Sequence, residues 1–269
     1  MLASLRVERY GDVTRLRMTS VAGRTIGIDV SAYVVRGIMI DTGFAHARET
    51  LLRAVRALNV RGAIVTHWHE DHAGNVAALA ALGTPLLLRA DTEATLRSFP
   101  RIELYRRAVW GTPPSLSSPT RVPDLESLVG VHTPGHSIDH QIVWDGSTRT
   151  AFTGDLWLGV RARTVHSTED PYAIVDSLRV LRDLGPERMF DAHRGLVAPA
   201  IDALDRKIDW LSTTLATIES RIGSGDDDAT IVRRVLGGED LAALVSRGGY
   251  SRRNLVRAVR RRLVAGRTI

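Results

Sequence analysis

The run Thr66-His67-Trp68-His69-Glu70-Asp71-His72-Ala73-Gly74-Asn75 constrains this chain more than any other, because it sets three imidazoles and two carboxylates in the six positions from His67 to His72. It follows Ala63-Ile64-Val65-Thr66, an apolar, β-branched run that reads as a buried strand. It precedes residues 75–82, which read as a helix closed by Gly83. The candidate ligands therefore sit on a strand-to-helix loop. In extended backbone alternate side chains point the same way, so His67 and His69 can meet one metal ion while Trp68 turns towards packing. Asp71 and His72 can then turn to a second position. Imidazole nitrogen and carboxylate oxygen are what zinc accepts when no thiolate is at hand, and the chain has no cysteine. The bland alternative is a polar surface loop with chance histidines, but that loop would hold three of the chain's nine histidines.

Bulk properties bound the rest. With 269 residues and 44% hydrophobic content, the chain suits one large domain or one domain with an appendage. The lack of cysteine excludes disulfides and thiolate metal sites. The first nine residues show no long apolar core and no small-residue cleavage pattern, and residues 75–88 are too short to span a bilayer. The expectation is a soluble, cytoplasmic protein with no membrane partner. The net charge of +6 comes almost wholly from arginine, since Lys207 is the only lysine. That charge permits nucleic acid or an acidic metabolite as partner, and an arginine-rich composition alone would give it equally well.

Along the chain, residues 5–10, 13–18, 28–35 and 38–41 read as strands punctuated by Gly11, Gly23 and Gly37. A helix follows, with Leu51, Leu52, Val55 and Leu58 at helical spacing. After a strand at 85–88, residues 98–124 carry five prolines together with Tyr105 and Trp110. This insert reads as a substrate cover, or as a connector whose aromatics pin it to the body. The second half repeats strands at 129–132, 141–144 and 150–153, a helix at 171–184 and a strand near Phe190. From Ala198 the chain turns helical, with Leu204, Leu211, Leu215 and Ile218 in one apolar stripe. Asp226, Asp227 and Asp228 follow a glycine break and read as a helix start. The tail to Ile269 ends in an arginine-rich amphipathic helix, apolar at Leu255, Val259 and Leu263, which reads chiefly as the solvated face of a packed helix.

The run His67 to His72 resembles the His-x-His-x-Asp-His signature of the metallo-β-lactamase-fold hydrolases. Four further stations of that family stand in order: Asp41-Thr42-Gly43, His132-Thr133-Pro134-Gly135-His136, Phe152-Thr153-Gly154-Asp155 and Phe190-Asp191-Ala192-His193. The resemblance implies an α/β, four-layer αβ/βα sandwich over residues 1–200, with a helical extension over 201–269. It implies that His67, His69 and His136 hold one metal, that Asp71, His72 and His193 hold another, and that Asp155 bridges them. Asp71 would also move protons in catalysis. Asp41, His132 and His140 resemble residues that orient ligands, and Trp68, Tyr105, Trp110 and Trp157 are candidate substrate contacts. His46 and His166 match no station and read as surface or structural residues.

The implied cofactor is two Zn2+ per chain, with iron or manganese also suited to these ligands. The implied activity is hydrolysis of a small ester-like molecule, a thioester or lactone. The rivals are a phosphodiesterase or endoribonuclease, for which nucleic acid is the less favoured partner, and an organophosphate hydrolase. A β-lactamase and a mononuclear iron thiol dioxygenase stand further off. Lactamases with Asp and His at the second zinc usually lack the bridging carboxylate, and the glutathione thioesterases often carry a signature where Leu156 to Arg161 stand here. A homodimer is compatible with all of these.

Overall fold

The computed structural model describes residues 3–265; residues 1–2 and 266–269, which include the end of the expected helical tail to Ile269, lie outside them. Strands β1 (Ala3–Tyr10) and β2 (Val13–Ser20) form a hairpin, and helix α1 (Val21–Ile26) leads to β3 (Val30–Val35) and β4 (Ile38–Ile40). Helix α2 (Arg48–Ala57) crosses to β5 (Gly62–Ile64), and α3 (Val76–Ala81) crosses to β6 (Leu86–Leu87). The first sheet runs β1-β2-β3-β4-β5-β6, antiparallel as far as β4 and parallel from β4 to β6. The parallel pairs are the ones joined through helices, as parallel neighbours must be.

Helices α4 (Ala90–Arg97) and α5 (Leu104–Trp110) precede the second sheet. That sheet holds β7 (Leu128–His132), β8 (Gln141–Asp145), β9 (Thr150–Phe152), then, after the short β10 (Val165–His166) and α6 (Pro171–Asp183), β11 (Arg188–Asp191) and β12 (Gly195–Val197). Its order is β12-β11-β9-β8-β7, with β9 and β11 parallel. Helices α7 (Ala200–Gly223), α8 (Asp228–Leu236), α9 (Leu241–Val245), strand β13 (Tyr250–Ser251) and helix α10 (Arg252–Ala265) complete the chain.

Alternation along the strands builds the layers. Tyr33, Val35, Ile38, Ile40 and Ile64 of the first sheet meet Val143, Phe152 and Phe190 of the second in one central core. Their strand neighbours Ala32, Val34, Met39 and Ala63 face outward, against Leu51, Val55, Val76 and Leu79 of α2 and α3. Ile142, Ala151 and Met189 face the other way, against Leu178 of α6, Leu204, Leu211 and Leu215 of α7, and Leu255 and Val259 of α10. A period of two presents both faces of the central strands to apolar cover, so the middle of each sheet is buried on both sides while the edge strands β1 and β7 stay largely exposed. The result is the four-layer αβ/βα sandwich. The helices after residue 200 share their core with the second sheet's outer face rather than standing apart from it.

Strands β4, β5, β7, β9 and β11 all end at one edge, where hydrogen bonds join the two sheets. Tyr33 Oη donates to Asp191 O at 2.6 Å, Ser31 N to Ala192 O at 2.7 Å and Gln141 N to Thr66 O at 2.9 Å.

Two stretches differ from the sequence expectation. Residues 21–26 form a helix where Gly23 suggests punctuation. Ser20 caps this helix through the Gly23 N–H, and Gly23 is needed for close approach, since a Cβ there would sit 2.8 Å from Ile28 O. The 98–124 insert contains α5, whose Trp110 packs on Phe44 with ring centroids 5.0 Å apart. The aspartate-rich break behaves as expected: Asp227 accepts from Thr230 N at 2.7 Å and caps α8.

Candidate metal centre

Each candidate ligand lies just past a strand end, where the backbone leaves the sheet and side chains are free to converge. His69 Nδ1 stands 2.9 Å from His67 Nε2 and 2.9 Å from His136 Nε2, and His136 Nε2 is 3.4 Å from Asp155 Oδ2. In a second group, His72 Nε2 and His193 Nε2 each lie 3.2 Å from Asp155 Oδ1, and 3.7 Å and 3.6 Å from Asp71 Oδ2. The ligand atoms of each group lie within 4.8 Å of one another. Asp155 belongs to both groups and turns one oxygen to each. The structure therefore brings together all seven residues that the sequence singled out.

Outer hydrogen bonds decide which ring nitrogen faces inward. His67 Nδ1 meets Thr66 Oγ1 at 3.0 Å, His72 Nδ1 meets Asp41 Oδ2 at 2.8 Å, and His193 Nδ1 meets Asp29 O at 2.6 Å. With its proton directed outward, each ring presents an Nε2 lone pair to the centre. Asp41 also accepts from Thr66 N at 2.8 Å, so one carboxylate, on a residue with φ +60°, steadies a ligand of each group.

Those inward lone pairs test whether a cation fits. A single proton on His69 Nδ1 can serve only one of its two nitrogen neighbours. His72 Nε2 and Asp155 Oδ1 are buried and have no hydrogen-bond partner. Leaving a buried acceptor unmet costs roughly 1–3 kcal/mol, and a cation at each position would meet it. The charges agree. Burial, and then the neighbouring histidines, hold His67 and His69 well below the ordinary imidazole range. Burial acts against His193 too, but Asp155 and Asp71 outweigh it and push the ring up to about 9. Burial raises Asp155, yet His72 and His193 pull it well below the usual carboxylate range. Positive charge is stabilised at this place, and the donor set of imidazoles and carboxylates suits a divalent transition metal.

The loops are fixed from behind. Asp139 accepts from Trp68 N at 2.9 Å and Thr92 Oγ1 at 2.7 Å, joining the loop of His67 and His69 to that of His136. Asp191 accepts from His193 N at 2.9 Å and Leu158 N at 2.8 Å, joining the last loop to the one after Asp155. His140 Nε2 accepts from Asp155 N at 3.2 Å, while burial, then His136, lowers this ring to about 3 and keeps it neutral. Gly74 lets the motif loop pass Phe44: a Cβ would come within 2.6 Å of Phe44 Cα.

The sequence model of the metallo-beta-lactamase superfamily matches residues 26–208. The chain belongs to this superfamily. Among curated relatives, the "Beta-lactamase-like protein 2 homolog" of Drosophila melanogaster is 26% identical over 218 residues, covering 70% of this chain and 69% of that protein. The "Atrochrysone carboxyl ACP thioesterase" of Passalora fulva is 29% identical over 175 residues, 60% of this chain and 45% of that one. The chain thus spans under half the length of that thioesterase. Among solved structures, DIM-1 metallo-beta-lactamase superposes with a TM-score of 0.59 at 17% identity, covering 78% of this chain and 98% of that one. A metallo-beta-lactamase family protein from Thermus thermophilus has a TM-score of 0.59 at 16% identity and covers 96% of this chain and 91% of its own. These two likenesses show the fold. The superfamily member described here is a hydrolase with a metal-binding centre. No helix among its described residues is long and apolar enough to cross a membrane.

The remaining candidates fall in different places. Trp68 is half-buried against His69, with ring centroids 4.7 Å apart, and Tyr105 is half-buried on α5. Trp110 and Trp157 are instead packed in the two outer cores, each 8% exposed, and Trp157 Nε1 donates to Ala203 O. Large apolar rings with one polar atom serve a core as readily as a pocket. His132 is exposed and bonds Ile138 O at 2.9 Å, steadying the His136 loop rather than touching a ligand.

Three polar groups were not singled out from the sequence. Glu169 Oε1 faces His136 Nδ1 at 3.5 Å. Arg106 forks onto buried Glu70 with two contacts of 2.6 Å. Asp139 sits beside His140, with no local pattern of its own to mark it.

Proposed function

We propose that this chain is a binuclear zinc hydrolase that cleaves a small thioester. The observation that carries the reading is Asp155, whose two oxygens serve the two ligand groups at once. His67, His69 and His136 would hold one ion, and Asp71, His72 and His193 the other. When bound, two such ions polarise the carbonyl and lower the pKa of a water from 15.7 to about 7, which supplies a nucleophile at neutral pH. The chain's own groups do the rest. Asp41, Thr66 and Asp29 O hold the rings. Asp71, which keeps some exposure, carries a proton to the departing thiolate.

The thioesterase relatives support a thioester over a lactone. The phosphodiesterase reading loses ground on α10. Arg260 pairs with Asp228, Arg252 with Asp240, and Arg262 lies 4.2 Å over the Tyr172 ring, so these arginines are engaged in packing rather than laid out as a phosphate track.

The test is a panel of thioester, lactone, phosphotriester and phosphodiester substrates, each run with and without chelator and across a salt series. The expected result is chelator-sensitive thioester hydrolysis with little salt dependence. Phosphodiester cleavage alone, falling steeply with salt, would transfer the site to nucleic acid.

A further inference from the structure

Three segments outside the two sheets meet beside the first ligand group: α5, the stretch from β10 to α6, and β13 of the tail. Glu169 Oε1, which faces His136, also accepts the His166 N–H at 3.0 Å. His166 is the register partner of Tyr250, and their rings lie 5.0 Å apart. On the other side, Tyr105 lies under the tail turn, its hydroxyl 3.8 Å from where a Cβ on Gly249 would stand. Next to it Arg106 holds Glu70 of the metal loop. Burial raises the Tyr250 phenol most, Arg106 opposes the shift, and Glu169, Asp71 and Glu70 add to it.

Neither phenol finds an acceptor in the protein. The Tyr105 hydroxyl is buried without a partner, and the bonds formed by Tyr250 are those of its backbone. Ring packing of half-buried Tyr250 on His166 would be served equally by phenylalanine, and at Tyr105 a buried donor without an acceptor is a cost that packing does not require. Burial keeps both phenols protonated, pushing Tyr105 up to about 12. The carboxylates of Glu70, Asp71 and Glu169 make this a poor place for an anion. What fits is a neutral oxygen.

We propose that Tyr250, with Tyr105, is a substrate-contacting residue that donates a hydrogen bond to a neutral oxygen of the thioester away from the reacting carbonyl. That oxygen is either a hydroxyl or keto group on the acyl chain or an amide carbonyl on the thiol arm. The tail thereby sets substrate choice at a centre built by the sandwich. The inference deepens the thioesterase reading and rests on it.

The test compares wild type with Tyr250→Phe, which keeps the ring, on four thioesters: octanoyl and 3-hydroxyoctanoyl groups, each on ethanethiol and on N-acetylcysteamine. Wild type is expected to favour one oxygen-bearing feature by about tenfold in kcat/KM, the scale of one neutral hydrogen bond. In Tyr250→Phe that preference falls to about one, with the loss in KM rather than kcat. Collapse of the 3-hydroxy preference places the oxygen on the acyl chain, and collapse of the amide preference places it on the thiol arm. Unchanged preferences in Tyr250→Phe overturn the inference.

If wild type cleaves none of the four, the thioesterase reading fails by itself. Calorimetry of metal-loaded protein with 3-hydroxyoctanoate and with N-acetylcysteamine then decides. Binding of either about tenfold weaker in Tyr250→Phe sustains the contact, and equal binding of both removes it.

Discussion

The two ends of the sandwich both bury carboxylates, and they treat them in opposite ways. At the end away from the metal loops, the Asp145 side chain is 1% exposed and closes the turn between β8 and β9. Its Oδ1 accepts from Ser127 Oγ at 2.7 Å and from Ser147 N and Oγ at 3.1 and 2.7 Å. Its Oδ2 accepts from Thr148 Oγ1 at 2.8 Å and Arg36 at 2.9 Å, which also ties the first sheet to the second. Every lone pair there meets a donor. At the metal end Asp155 is buried too, yet its Oδ1 has no hydroxyl, amide or guanidinium donor and faces only the Nε2 atoms of His72 and His193, each at 3.2 Å. Buried charge alone therefore does not mark a functional site. Converging acceptors that the protein leaves without donors do.

That contrast can be broken at three points, taken from the largest expected effect. At the metal end the Glu70–Arg106 pair matches a buried carboxylate with an arginine, as Asp145 is matched by Arg36. Arg106→Ala leaves Glu70 buried and alone, and unfolding in urea should show a loss of about 3–5 kcal/mol. Replacing both residues by leucine should recover most of it. A cost under about 1 kcal/mol for the single change would make the pair equivalent to a surface contact. Next, Asp41 touches the candidate centre only through Thr66 and His72. Asp41→Ala should weaken metal binding 10- to 100-fold in a competition titration, with the sandwich intact. Undiminished affinity would show that the rings orient without it.

The smallest effect belongs to Asp145. Burial pushes its pKa up, but Ser147, Ser127, Thr148 and Arg36 more than offset this and hold it well below the usual carboxylate range. A carboxylate depressed in the folded state stabilises above its unfolded pKa of about 3.9 and loses that contribution as pH falls through the folded value. Asp145→Asn should thus cost about 1–3 kcal/mol near pH 7, with the gap to wild type closing below pH ~4. A gap that stays constant down to pH 3 would mean that the charge is not what matters.

What could be read from the sequence follows from distance along the chain. Four of the seven candidate ligands fall within six residues, and the other three follow strands whose apolar alternation is plain, so the fold and the residues that cluster at its edge were legible together. The supports were not. Arg106 finds Glu70 across 36 positions, and Asp139 finds Trp68 across 71, with no local pattern to announce either. Tyr250 comes beside His166 only because β13 pairs with β10. Trp110 and Trp157 misled for another reason: composition cannot tell a core aromatic from a pocket one. Helix α1 went unread because Gly23, which suggests a break, is there for close packing.

Elemental analysis of the purified protein beside its Asp155→Ala variant, with thioester hydrolysis followed on the same samples, tests the central claim most directly. The bridging role of Asp155 predicts about two zinc ions per wild-type chain, and in the variant at most about one ion with hydrolysis at background. Full metal content and full activity in Asp155→Ala, or a wild-type protein that hydrolyses its substrate unaffected by chelator, would contradict it.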